Sequence, residues 1–135
     1  MKKIMFVDIH KLKCHEKVDG VRLGKLQKDL ELSGAIHRPI IVDRRSYVIL
    51  DGHHRYSALK RLGMKKIPVY FVDYLSPTVR VHLRRKNLTM QMIKQAVLYC
   101  GLTGSVFPIK TTRHLIHERP GIQKISLETI MKGGE

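Results

Sequence analysis

Tyr47-Val-Ile-Leu-Asp-Gly-His-His-Arg-Tyr-Ser-Ala-Leu-Lys-Arg-Leu62 is the stretch that decides the fold. Its apolar run, Tyr47 to Leu50, predicts a buried strand ending at Asp51-Gly52. Tyr56, Leu59 and Leu62 then recur at helical spacing, and Gly63 stops that helix. Asp51 to Arg55 therefore stand where a strand hands over to a helix. The N–H groups at the start of a helix carry partial positive charge and attract anions. Gly52 lets a ligand approach the backbone closely. His53, His54 and Arg55 add donors, and a guanidinium grips a phosphate through two parallel bonds. Asp51 conflicts with this cradle, because a carboxylate repels phosphate unless a metal or a proton intervenes. The bland alternative is a capped helix with surface histidines, but a cap needs one polar residue and this junction holds several.

Working outward, Lys3 to Asp8 reads as a strand and His10 to Lys17 as a loop. A helix is expected from Asp19 to Leu32, with Asp19 as N-cap, Leu23, Leu26 and Leu30 as its apolar stripe and Ser33-Gly34 as its stop. Pro39 to Asp43 pairs as a hairpin with Tyr47 to Leu50 across the turn Asp43 to Ser46. The junction helix runs from His54 to Leu62. Strands follow at Ile67 to Tyr74 and at Thr78 to Arg85, the second with Arg80, His82 and Arg84 on one face. A third helix is expected over Thr89 to Cys100, stopped by Gly101, and a short one over Ser126 to Lys132. Strands alternating with helices, plus a hairpin, define a small mixed α/β sheet.

The 135 residues make one domain, or one with a small annex. No apolar run approaches the roughly 18 residues of a membrane span, and the N-terminal run Ile4 to Val7 is too short for a signal peptide. A cytoplasmic protein is expected. Cys14 and Cys100 are too few for a disulfide framework. The net charge of +15 favours anionic partners: nucleic acid, nucleotides or phosphorylated metabolites. From Tyr74 to His117 there is no acidic residue, but Arg80, Arg84, Arg85, Lys86, Lys94, Lys110 and Arg113 occur. A helix-turn-helix, a zinc finger and a set of stacking aromatics are all missing, which counts against sequence-specific DNA binding.

Two further constellations can carry chemistry. Glu16 lies in the loop before the first helix. It is either a solvated carboxylate or a general base that takes a proton from a substrate hydroxyl. Lys110-Thr-Thr-Arg-His114 gathers two hydroxyls, a guanidinium and an imidazole. It is either a polar turn or a grip for a carboxylate or phosphate. A thiol nucleophile at Cys14 has little support, and His53 and His54 are too close in sequence for a zinc pair on one helix face. No Gly-x-x-x-x-Gly-Lys-Ser/Thr loop and no protein-kinase motif set occurs.

Ile49-Leu-Asp-Gly-His-His-Arg-Tyr-Ser-Ala-Leu59 resembles the signature of the ParB/sulfiredoxin-like superfamily. Its Gly-His-His-Arg form is most similar to the archaeal free-serine kinases. His53 stands where sulfiredoxins have a catalytic Cys, and the Gly-Glu-Arg-Arg type box of partition proteins is absent. Leu12-Lys-Cys-His-Glu16 resembles the kinases' Lys-Pro-His-Glu segment, with Cys14 in place of Pro. Ser105 to Leu115 is similar to their C-terminal segment. These motifs occur in the family's order and cover nearly the whole chain. Two departures stand out. The large insertion of longer members is missing before Lys110, and Arg22 occupies the place of a second acid.

The resemblance implies a mixed sheet flanked by helices. Residues 1–75 would form a nucleotide-binding core, and residues 76–135 would complete the substrate site within the same compact unit. It further implies transfer of a phosphoryl group from ATP or ADP to free L-serine with Mg2+. ATP is favoured, because ADP use goes with the longer archaeal form. Glu16 would be the base. Asp51 would be a metal ligand or second acid/base. Gly52, His53, His54 and Arg55 would bind the nucleotide phosphates, and Lys110, Thr111, Thr112, Arg113 and His114 would bind serine or its product. The rivals are a ParB-type DNA-binding protein or nuclease, and a non-catalytic regulator that binds a phosphorylated metabolite.

Overall fold

The computed structural model describes residues 4–14, 18–76, 79–83, 90–103, 112–116 and 122–134. The side chains of residues 79–83, 90–93 and 112–116 lie outside that description. In chain order the elements are β1 (Met5–Asp8), α1 (Gly20–Ser33), β2 (Ala35–Ile36), β3 (Ile40–Asp43), β4 (Ile49–Asp51) and α2 (His53–Arg61). They continue with β5 (Lys66–Val72), β6 (Val79–Leu83), α3 (Met90–Thr103), β7 (Thr112–Ile116), β8 (Ile125–Ser126) and α4 (Leu127–Met131).

The main sheet has the order β1-β5-β3-β4. β5 runs parallel to β3 and antiparallel to β1, and β4 returns antiparallel to β3. Successive side chains of a strand point to opposite faces, and the sequence uses both. Ile40, Val42, Ile49, Ile67 and Val69 face the core shared with Leu23 and Leu30 of α1, Leu59 of α2 and Ile130 of α4. Ile41, Leu50 and Tyr70 face a second core with Val48, Tyr74 and Val97 of α3. The result is a mixed sheet with helices on both faces, as expected from the sequence.

Asp19 caps α1 as anticipated: its carboxylate accepts from the N–H groups of Val21 and Arg22. Gly34 ends that helix in the left-handed region at φ 71°. Several expectations are corrected. Tyr47 does not begin a strand; it adopts φ 63° in the turn, and its ring meets Phe71 edge-on at 5.3 Å. Asp43 holds that turn, accepting from Ser46 N–H (3.0 Å), Ser46 Oγ (2.6 Å) and Tyr74 N–H (3.0 Å). Gly101 does not stop α3, which continues to Thr103. A Cβ there would sit 2.6 Å from Val48 Cγ2, so this glycine serves close approach of helix to sheet. Lys94, one of the basic residues of the acid-free stretch, is buried; its Nζ donates to the Ser76 carbonyl at 3.0 Å and lies 5.4 Å from the Tyr74 ring centroid.

The polar-turn alternative for Lys110 to His114 is also corrected in part. Thr112–Ile116 is a strand antiparallel to β6, with Arg113 opposite His82. A pairing not anticipated joins β2 to β8. Gln123 N–H donates to the His37 carbonyl and Leu127 N–H to the Gly34 carbonyl, both at 2.8 Å. The C-terminal segment is thereby strapped across the end of α1.

Candidate functional site

β4 delivers Asp51 to the sheet's edge, and Gly52 turns the chain into α2 at φ 100°. Its N-cap residue, Gly52, has no side chain with which to cap the helix. A Cβ on residue 52 would lie 3.0 Å from Arg55 Nη2 and 3.1 Å from Ile40 Cγ1. The backbone angle and the space both call for glycine. Arg55 folds back over this glycine, with Nη2 3.7 Å from Asp51 Oδ2. Both side chains are partly exposed, so solvent screens the pair and an incoming anion can compete for the guanidinium.

His53 is buried, whereas His54 is half-buried. The Nε2 atom of His54 accepts the Asp19 N–H at 3.0 Å, joining the first turn of α2 to the start of α1. That nitrogen is an acceptor here, not the donor expected of a phosphate ligand. Arg22 is exposed on α1 and presents no carboxylate there.

Glu16 lies outside the described residues, but both ends of its loop are described. Upstream, Lys13 N–H donates to the Tyr47 carbonyl (2.9 Å) and Ile49 N–H donates to the Lys13 carbonyl (2.7 Å). Downstream, Asp19 is held by His54. Lys13 thus sits beside the strand that ends in Asp51, and Asp19 beside the helix that begins after Gly52. Cys14, beside it, is half-buried. Burial pushes its thiol up to about 11, against the opposing pull of Lys60, so it is no thiolate nucleophile at neutral pH.

A cleft of about 350 Å³ adjoins Arg55. Leu26, Leu30 and Ile36 supply apolar lining, and His37, Arg38 and Arg55 supply polar groups. His37 and Arg38, two basic residues between a helix stop and a strand, do not stand out in the sequence. Their signal was weak, because the strap from the C-terminal segment, which fixes their backbone, is a long-range pairing.

The structure therefore gathers Asp51, Gly52, His53, His54 and Arg55 at one junction beside a cleft. It places Thr112, Arg113 and His114 on β7 by their backbone alone, and Lys110 and Thr111 lie outside the described residues. Among the described residues, no three His, Cys, Asp or Glu side chains gather as a metal cage. Asp51, partly exposed beside Arg55, still suits magnesium, which needs few protein carboxylates when phosphates and waters complete its shell. No helix among the described residues is long and apolar enough to cross a membrane.

A mixed sheet covered on both faces, with a glycine-led helix start opening on a cleft, defines a small α/β domain suited to an anionic ligand. Residues 2–94 match the family described as the ParB N-terminal domain, and the chain belongs to that family. It is 36% identical over 81 residues to an ATP-dependent L-serine kinase of Staphylothermus marinus, covering 57% of this chain and 32% of that protein. It is 32% identical over 82 residues to an ADP-dependent L-serine kinase of Thermococcus kodakarensis, covering 58% of this chain and 34% of the relative. The chain thus spans about a third of the length of the curated relatives it matches. A solved free serine kinase mutant in complex with AMP superposes with a TM-score of 0.83 at 17% identity, covering 96% of this chain and 94% of that one. At that identity the likeness establishes the shared fold.

Proposed function

We propose that this chain phosphorylates free L-serine to O-phospho-L-serine, using ATP or ADP. The observation that carries the reading is the double anchoring of the Glu16 loop, at Lys13 to the strand before Asp51 and at Asp19 to the helix after it. A base and a phosphate cradle must be neighbours for phosphoryl transfer. These ties hold the loop that carries one to the junction that forms the other.

The positive end of α2, with the backbone of Gly52, His53 and His54 and the guanidinium of Arg55, receives the nucleotide phosphates. The cleft beside Arg55 takes the nucleoside, its apolar lining covering the base while His37 and Arg38 offer polar contacts. Glu16 accepts the serine hydroxyl proton as the oxygen attacks phosphorus. Asp51 holds magnesium, directly or through water, or serves as a second acid/base. When bound, that ion neutralises charge on the phosphates. Thr112, Arg113 and His114, with Lys110 and Thr111, orient the serine carboxylate or the product phosphate. Residues 1–75 and 76–135 work as one unit in this scheme. ATP is the favoured donor, although both ATP- and ADP-dependent kinases are among the relatives.

Incubating the protein with L-serine, Mg2+ and either nucleotide, and following phosphorus by NMR, tests the reading. O-phospho-L-serine should appear with at least one donor. A folded protein that makes none with either overturns it. The second reading, a DNA-binding module, is favoured by the +15 charge and by the family match. Salt-dependent retention of duplex DNA together with absent phosphoserine would put it first.

A further inference from the structure

We infer that His54 is a positioning residue that caps α1 from outside and thereby fixes the downstream end of the Glu16 loop. The inference rests on the kinase reading for its catalytic half, whereas the cap itself stands on geometry.

An N-cap residue has its own N–H to satisfy. In a capping box, a Glu or Gln three residues into the helix reaches back and accepts it. In α1 the N-cap is Asp19, and that third position is Arg22. A guanidinium has only donors, so the box cannot close within the helix. His54, thirty-five residues away on α2, supplies the missing acceptor: the Asp19 N–H points at its Nε2 from 3.0 Å. Asp19 completes the other half of the cap itself, its Oδ1 accepting from Val21 and Arg22. The start of α1 is therefore held jointly by its own side chain and by an imidazole from the phosphate end of the site.

Connectivity makes this bond matter for chemistry. In the sequence Glu16 lies three residues before Asp19 and three after Lys13. Lys13 is secured by two backbone bonds to the β4 side. Among the described residues, Asp19 is tied to the α2 side through His54. Releasing it frees one end of the short loop that must place a carboxylate on a hydroxyl. Misplacement of a catalytic group by about 1 Å costs on the order of 10²-fold in rate. The imidazole's role is thus distinct from gripping phosphate: its effect belongs in kcat, with little in nucleotide affinity.

The full chain, compared with His54→Leu, His54→Gln and the double variant His54→Leu with Arg22→Gln, tests this. Glutamine's amide oxygen can stand in for Nε2 as acceptor. Gln at position 22 closes the box within α1. Amide hydrogen exchange at Asp19 should accelerate in His54→Leu and return towards wild type in the other two. Serine kinase kcat should fall about 10- to 10²-fold in His54→Leu, with nucleotide KM nearly constant, and recover in both rescued variants. If His54→Leu does not fold, His54→Asn, too short to reach Asp19, takes its place. Unchanged Asp19 exchange overturns the cap. A raised nucleotide KM at constant kcat overturns the positioning role and makes His54 a phosphate ligand. A wild-type protein without kinase activity, but with exchange that responds to His54, overturns the kinase reading and the catalytic half of the inference together.

Discussion

The two faces of the main sheet each receive a helix through a glycine and a cation, and they use them for opposite purposes. On one face Gly52 is needed for its backbone angle, φ 100°, and Arg55 beside it pairs with Asp51 at 3.7 Å in partly exposed surroundings. On the other, Gly101 lies inside α3 and is needed for its missing Cβ, which would strike Val48. Lys94, one helical turn before Val97 and Leu98, is buried against a carbonyl and an aromatic ring. Arg55 is paired with a partly exposed carboxylate. Lys94's partners belong to the scaffold. The same residue types therefore stand at the candidate site on one face and in a packed joint on the other, and exposure tells them apart.

Substitutions that break the reactive face should cost the most. Glu16→Gln retains shape but cannot accept the hydroxyl proton, so turnover should fall about 10²–10⁴-fold, with nucleotide binding kept. Steady-state rates at saturating serine and nucleotide, with binding measured separately, check this. Near wild-type turnover would remove Glu16 as base. Asp51→Asn should also slow turnover, but with a shifted magnesium dependence, because a neutral amide is a poorer ligand for a hard cation.

Next in size is Arg55→Ala. Charge-assisted hydrogen bonds contribute roughly 1.5–3 kcal/mol, so nucleotide affinity should drop about tenfold or more. Calorimetric titration reads the change. The loss of the Asp51 pair should matter little to stability, since an exposed pair of this length is heavily screened. An Arg55→Ala protein that binds nucleotide normally but unfolds readily would reverse the contrast drawn between the two faces.

Much of this contrast could be read before the structure, and the reasons are local. Asp19 and Gly34 bracket α1 because a cap and a left-handed stop act on adjacent residues. The Asp51 to Arg55 handover was legible because a strand period and a helix period meet there. Tyr47's left-handed angle was not, since it depends on Asp43 holding the turn and Phe71 receiving the ring. Gly101 was misread as a stop because its reason is Val48, over fifty residues away. His37 and Arg38 escaped notice because the cleft they line is assembled by α1, α2 and the C-terminal strap together. Local signals place the candidate residues at the strand-to-helix junction, while the cleft walls come from distant pairings.

The packed face offers a smaller test. Adding a methyl at Gly101 should cost about 1–3 kcal/mol through overpacking, partly offset by about 1 kcal/mol of helix propensity. Denaturant unfolding should show net destabilisation for Gly101→Ala, and Val48→Ala in the same chain should recover part of it. Additive losses would mean that the two residues do not share the contact.

The smallest expected effect is at Lys94. Burial lowers the ammonium's pKa below the ordinary lysine value, with Asp73 opposing that shift. The folded state thus disfavours the charged form, while the carbonyl of Ser76 and the Tyr74 ring compensate. Replacing a buried charge by an apolar side chain of similar length is often neutral or stabilising. Lys94→Met should therefore change stability at pH 7 by only about 0–1 kcal/mol, in the stabilising direction. The pH dependence is the sharper measure. With a depressed folded pKa, the unfolded chain binds more protons, so the wild type gains stability as pH rises from the folded pKa through the ordinary lysine value. The difference, wild type minus Lys94→Met, should climb over that window, since all other titrating groups cancel. Urea unfolding of both proteins across the alkaline range measures it. A flat difference would show that burial leaves the ammonium unshifted, and a falling one that the fold stabilises it; either would overturn the reading of Lys94 as a buried scaffold charge.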